Sequence, residues 1–276
     1  MTFTTDELMR LALEMAEMDE VPGDSAVYHP GRGIRRILFG IDIKAAELKL
    51  AADLGFDAAI SHHPTGGAAR LRFHEVLHRH VEQMVSAGVP REKAAAIIEN
   101  LAENHRVTAS MSNYDHEPSV ARLLDMPYLN IHTPLDEIGR RRLQAAADEL
   151  NGDATVSDLV AHLFERFGEF AHADTEIELR AGRASNRIGR VVMSHGAGTN
   201  GGYPVAKAYF DHGVDTVIYI HCAPADSQRL IEEYGDRRNL IVTGHIVSDS
   251  IGINPYIASL RNAGAEVTAI SGVIPA

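Results

Sequence analysis

A single cysteine, Cys222, stands in a chain of 276 residues, so an internal disulfide framework is excluded and a reducing compartment fits. No run of five or more lysines and arginines occurs, and the formal charge is -12, from 26 basic and 38 acidic residues. Nucleic acid is therefore not expected as a partner, because phosphate binding depends on a positive footprint. An acidic chain still binds an anion where metal ions supply local positive charge. No apolar run approaches the length of a membrane span. Residues 1–14 lack the basic start, apolar core and small-residue cleavage pattern of an export signal. These absences predict a cytoplasmic protein without a membrane partner. Also missing are the G-x-S-x-G elbow of serine hydrolases and the G-x-x-x-x-G-K-[ST] phosphate loop. What is plentiful is apolar content, 45%, enough for one large α/β domain or two lobes.

Read in order, Thr5-Asp6-Glu7-Leu8 opens a helix with capping residues that continues to about Met18, and prolines and glycines over residues 21–33 mark a loop. Residues 34–43 form a buried strand near whose end Asp42 sits. Residues 44–54 form a helix that stops at Gly55, and residues 56–60 form a second short strand, completing a β-α-β unit. Helices are expected over 71–88 and 91–104. A strand is expected over 106–111, running out into Ser112-Asn113-Tyr114-Asp115. The middle of the chain carries helices near 136–149 and 155–167 and no dense cluster of chemistry. A second α/β pattern then begins: strand 188–194, helix 203–212, strand 214–220, and strands near 239–243 and 265–271 around a helix from about Ser250 to Ala263. The expected fold class is α/β, with two related lobes whose mixed sheets are flanked by helices. The expected divisions are a first lobe over 1–130, a helical connector over 131–187 and a second lobe over 188–276. A short echo links the lobes: Gly55-Phe-Asp57-Ala-Ala-Ile60-Ser-His62 parallels Gly213-Val-Asp215-Thr-Val-Ile218-Tyr-Ile-His221, with one offset near the end.

Chemistry concentrates where strands end. Ile60-Ser61-His62-His63-Pro64 places adjacent histidines between an apolar strand and a proline, at the carboxyl end that faces the ligand crevice in open α/β sheets. Neighbouring side chains on a strand point to opposite faces, so the pair shares one site only if the strand has already turned, and Pro64 supplies that break. Packing offers a blander account, with one ring on a backbone carbonyl and the other solvated. Gly244-His245-Ile246-Val247-Ser248-Asp249 adds a histidine and a carboxylate four residues apart, which share a face if the segment is helical. With Asp115 this makes three imidazoles and two carboxylates, which suits two divalent ions better than one, since a catalytic ion takes about three protein ligands plus water.

Three other motifs compete. His74-Glu75-Val76-Leu77-His78 matches the H-E-x-x-H of zinc peptidases, but no metzincin continuation follows. Gly196-Ala-Gly198-Thr-Asn-Gly201 matches a dinucleotide fingerprint, yet the next strand ends in His221-Cys222 where a ribose-binding acid is needed. That loop reads equally as a phosphate cradle or as a tight turn for close packing. Cys222 reads as a small buried hydrophobe rather than a nucleophile.

The adjacent histidines, the segment Asn113-Tyr-Asp115, the Gly244-His245 turn with its carboxylate four residues on, and Leu38-Phe-Gly-Ile-Asp42 resemble the Nif-three-like family, described as GTP cyclohydrolase I type 2-like dinuclear metal proteins. The likeness spans the first lobe and residues 188–276 in order. It implies two metal ions, with His63 and Asp115 on one, His62 and His245 on the other, and Asp249 bridging, together with ring-like homohexamers. Three departures accompany it. The bridge is Asp249 where the family usually has glutamate, the histidine expected ahead of the Asn-x-Asp segment is replaced by Met111, and the extra domain of larger members is absent.

The expected protein thus holds two divalent ions per chain (Zn, Fe or Mn) at His62, His63, Asp115, His245 and Asp249, in the cleft between lobes. It hydrolyses a small molecule, with a nucleotide among the candidates, through a hydroxide bridging the ions that attacks a purine ring or an amide-like bond. His195 and His221, near strand ends of the second lobe, are the proton-transfer candidates. The alternative is a regulatory or metal-trafficking protein that binds the same ions without catalysis.

Overall fold

Residues 2–276 are described by a computed structural model. Nine strands occur among them: β1 (Ala26–His29), β2 (Arg36–Gly40), β3 (Ala58–Ser61), β4 (Tyr128–Asn130), β5 (Glu178–Ala181), β6 (Val191–Met193), β7 (Thr216–Tyr219), β8 (Asn239–Val242) and β9 (Glu266–Ile270). They form two mixed sheets flanked by helices, one in each of two compact units. The first unit takes in the chain up to Val76, Ala102–Ile138 and Gly252–Val273, and the second takes in Leu77–Leu101, Gly139–Ile251 and Ile274–Ala276.

In the first unit the strand order is β1-β4-β3-β2-β9, with β1 antiparallel to β4 and the other neighbours parallel. A parallel sheet covered on both faces needs apolar residues in both strand phases, and these strands supply them. Ile37, Phe39, Ala58, Ile60 and Leu129 pack one face against Leu8, Met9, Tyr256 and Leu260. The alternate residues Leu38, Ala59 and Tyr128 pack the other face against Leu48, Ala51 and Ala121. This two-sided burial is why the strands read as continuous apolar runs rather than alternating ones. Thr4 caps the first helix (Thr5–Ala16) in a capping box with Glu7.

In the second unit the order is β5-β8-β7-β6, with β5 antiparallel and the rest parallel. Met193, Ile218 and Ile241 pack against Leu143, Leu159, Leu163, Val247 and Ile251. The two sheets share a plan in which β5, β8, β7 and β6 follow β1, β4, β3 and β2. The echo noted above pairs β3 with β7, in register with this plan. Among the described residues no helix is long and apolar enough to cross a membrane.

Four expectations are corrected. Residues 21–33 are not loop throughout, since β1 lies within them and pairs with β4. Residues 106–111 are not a strand but the end of the helix Arg91–Ser110, whose buried residues Ala94, Ile98 and Ala102 repeat every four positions while Val107 and Met111 are exposed. Residues 71–88 are not one helix, since they divide into the end of Gly67–Leu71 followed by Phe73–Val76 and Arg79–Ser86. The strand over 265–271, assigned to a lobe spanning 188–276, is β9, which lies parallel beside β2 in the first sheet. The two compact units interleave along the chain.

Candidate metal centre

The first unit gathers imidazoles at the carboxyl ends of β3 and β4. β3 ends at Ser61, and the chain has turned by His62 and His63, whose ring centres lie 5.1 Å apart. Ser61 holds the turn: its buried hydroxyl donates to the His63 carbonyl at 2.9 Å and accepts from the Ile43 amide at 3.2 Å. The third ring belongs to His132, just past β4, with its centre 4.9 Å from that of His62 and 5.7 Å from that of His63. One nitrogen from each of the three lies within 4.8 Å of the others. The helix Thr133–Asp148 begins here, so Asp136 follows His132 by one turn on the same face. A helix start also favours a carboxylate through its unsatisfied N–H groups.

Each ring is held through Nδ1. That of His62 donates to the Ile131 carbonyl at 3.0 Å, that of His63 meets Asp42 Oδ1 at 3.1 Å, and that of His132 meets Asp24 Oδ2 at 2.7 Å. A carbonyl can only accept, so the proton of neutral His62 sits on Nδ1 and its Nε2 carries a lone pair. That Nε2 is 3.1 Å from Asp136 Oδ1, and His132 Nε2 is 3.7 Å from Asp136 Oδ2. Two acceptors at 3.1 Å repel unless a proton or a metal cation lies with them. Holding the far nitrogen of each ring on a carbonyl or a carboxylate is how proteins orient imidazole ligands. The donor set therefore fits a divalent ion.

Asp24 is fully buried and serves three side-chain donors, His132 Nδ1 and the Thr133 and Ser25 hydroxyls. Its backbone is fixed by Asn130, whose amide donates to the Asp24 carbonyl at 2.8 Å. Burial of the His132 ring works against its charged form, but Asp136 and Asp24 outweigh burial and hold the imidazole above its ordinary value.

In the second unit, His245 opens the helix His245–Asn262, and its Nε2 is 3.4 Å from Asp249 Oδ2. The expected common face is therefore present, with Asp249 buried and His245 partly exposed. His221, past β7, has its ring centre 4.8 Å from that of His245. His195, past β6, is nearly sealed, at 3% exposure.

Asp115 lies elsewhere. It is exposed on the surface at the start of the helix His116–Leu124, and Arg122 donates to both of its oxygens at 2.8 and 2.7 Å. The carboxylate beside the histidines is Asp136, and sequence reasoning missed both it and His132. The signal was present, because Tyr128-Leu-Asn-Ile-His132-Thr-Pro-Leu-Asp136 is a strand followed by a histidine and a carboxylate four residues apart.

The rival motifs acquire structural roles. The helix carrying His74 ends at Val76, so the H-E-x-x-H residues share no continuous helix, and Arg72 holds Glu75. The glycine-rich loop is pinned by the helix Arg79–Ser86, from which Arg79, His80 and Gln83 donate to the carbonyls of Gly196, Thr199 and His195 at 2.8, 2.9 and 2.7 Å. At Gly201, with φ of +82°, a Cβ would come within 2.3 Å of Val205, so the glycine there serves close packing. Burial, with Asp226 nearby, pushes the Cys222 thiol up to about 11, away from a reactive thiolate.

The chain is 51% identical to a NIF3 superfamily protein from Sphaerobacter thermophilus over 98% of each chain, with a TM-score of 0.93. More distant likenesses show the fold alone. Reduced HcgD from Methanocaldococcus jannaschii is 13% identical over 98% of each chain, with a TM-score of 0.57. A Bacillus cereus protein related to NIF3 is 10% identical over 97% of this chain and 96% of that one, with a TM-score of 0.55. No protein-family model matches the chain, and no curated protein matches it.

Proposed function

The chain belongs to the NIF3 superfamily, and from that premise we propose that it is a dinuclear metal-dependent hydrolase whose centre is built on His62, His63, His132 and Asp136. The observation that carries the reading is the cluster of three rings, each held at Nδ1, two of which turn Nε2 to the buried Asp136 carboxylate. His245 and Asp249 would add further ligands, as the sequence resemblance implies. Two divalent ions, once bound, would acidify a water and stabilise negative charge on the substrate oxygen. Imidazole and carboxylate donors without thiolate admit Zn, Fe or Mn.

The chain's own residues do the rest. His62 and His132 present Nε2 because Ile131 and Asp24 occupy their other nitrogens. Asp136 balances the charge. His221, with its ring beside that of His245, would pass the proton to the leaving group, a role that His195 is too enclosed to fill by exchange with bulk water. The substrate is a small molecule with an electrophilic carbon, a purine nucleotide or cyclic amide, and the assembly is a homo-oligomer, a hexamer by resemblance.

Elemental analysis of reconstituted protein is expected to give about two ions per chain, falling at both positions for Asp249→Asn and mainly at one for His245→Ala. Metal-dependent turnover in a screen of nucleotides and cyclic amides supports the hydrolase. Full metal content without turnover in either class rejects it in favour of metal storage or regulation. A further expectation concerns Asp24. Asp24→Asn keeps its shape but removes the charge that orients His132, and metal affinity should fall by about 10- to 100-fold, read by competition with a chelator. Unchanged affinity would show that His132 needs no orienting charge.

A further inference from the structure

Within the first unit a cavity of about 210 Å³ opens beside the histidines, lined by Pro64, Arg70, Phe73, His105, Thr108 and Ser112. Pro64 follows His63 directly in the chain. The Phe73 ring has its centre 5.9 Å from that of His132 and 5.4 Å from that of His105, so one aromatic wall borders both cluster and cavity.

Arg70 is the cation of this lining. Its Nε donates to Ser112 Oγ at 3.0 Å, which fixes the plane of the guanidinium, and among the described residues its terminal nitrogens meet no carboxylate. The neighbouring arginines are otherwise: Arg72 is paired with Glu75, Arg106 with Glu103 and Arg122 with Asp115. In a chain of formal charge -12, a guanidinium left open over an aromatic-walled cavity is set to receive an anion. His105 adds no second charge, since burial and then His74 hold its ring below the ordinary value. The volume lies below the roughly 300 Å³ at which ligand clefts begin, so the cavity takes one part of a molecule rather than a whole nucleotide.

We infer that this cavity seats a planar ring bearing a phosphate or carboxylate, with the ring against Phe73 and the anion on Arg70. For a substrate of the proposed hydrolase this end would anchor the molecule while its reacting carbon lies at the histidines. That last clause rests on the hydrolase reading, whereas binding in the cavity does not.

The test is titration of phenyl phosphate, inorganic phosphate and phenol into the full-length chain, first metal-depleted and then metal-loaded. Affinity is read by calorimetry, and the site by the His105 ring resonances. Phenyl phosphate should bind the metal-depleted chain more tightly than either fragment and shift His105. Arg70→Met should weaken it by about 10- to 100-fold, and Arg70→Lys by less, because the exposed charge is kept without the fork. Phe73→Leu should erase its advantage over inorganic phosphate. Binding unchanged in Arg70→Met, or phenyl phosphate no tighter than inorganic phosphate, would overturn the inference. Because these arms run without metal, their failure is separate from that of the hydrolase, which shows in metal content and turnover.

Discussion

Asp136→Asn is expected to strip the centre of metal, while Asp115→Asn leaves metal content unchanged. Loss of an outer hydrogen-bond partner typically lowers metal affinity by about 10- to 100-fold, and loss of a coordinating carboxylate should exceed the upper figure. The substitution is nearly isosteric, and the new amide can donate to His62 Nε2, which faces a carboxylate oxygen at 3.1 Å in the wild type. The metal-free fold should therefore survive, so that lost metal cannot be blamed on unfolding. Asp115 holds Arg122 on the surface, an arrangement worth about 0–1 kcal/mol. Elemental analysis of both variants after identical reconstitution decides the matter. Metal retained by Asp136→Asn and lost from Asp115→Asn would return the centre to the position first read from the sequence.

His132 and Asp136 were missed for a physical reason. The end of the helix Arg91–Ser110 is exposed, so its last two turns carry no buried stripe, and Val107, Ala109 and Met111 alternate as a strand would. β4, in contrast, is three residues long and fully buried, too short for any period to register. The rule that found His245 and Asp249, a histidine past a strand with a carboxylate one turn later, finds His132 and Asp136 equally well once β4 is recognised.

The shared plan of the two sheets explains why the rule works twice. β3 leads to His62 and His63 and its counterpart β7 to His221, while β2 leads to Asp42 and β6 to His195. β4 leads to His132-Thr-Pro-Leu-Asp136-Glu-Ile138, and β8, by way of Thr243-Gly244, to His245-Ile-Val-Ser-Asp249-Ser-Ile251, with histidine, carboxylate and isoleucine in step. Metal-type side chains thus stand at equivalent strand ends in both sheets. The echo seen in the sequence, eight residues against nine, was the part of that shared plan with enough side-chain identity to register. Strand order is invisible to local pattern, which is why β9 was assigned to the wrong sheet. Its residues read correctly as a strand, but its pairing with β2 is a long-range choice made by the open edge of that sheet.

Acidification should expose a second buried device. His80 is wholly enclosed between the helix Arg79–Ser86 and the glycine-rich loop, its Nε2 donating to the Thr199 carbonyl. Burial pushes its pKa down to about 4, the hydrogen bond to Thr199 opposing and the charges of His195 and Arg79 adding to the fall. The sign follows from linkage. The unfolded chain binds this proton near 6.5 and the folded chain near 4, so the stability due to a neutral His80 is complete above 6.5 and is lost as the pH falls through that window. The loss amounts to about 2 kcal/mol at pH 5 and about 3 kcal/mol once the pH is below both values, a large part of the roughly 5–15 kcal/mol that holds a typical domain together. His132, held above its ordinary value, titrates with the opposite sign, so the wild-type profile alone does not isolate His80. His80→Gln does, because it keeps a donor for Thr199 and removes the titration. Urea unfolding at pH 7.5 and pH 5 should show the variant losing about 2 kcal/mol less than the wild type across that interval. Equal losses in the two proteins would mean that the ring gains its proton without opening the loop it pins.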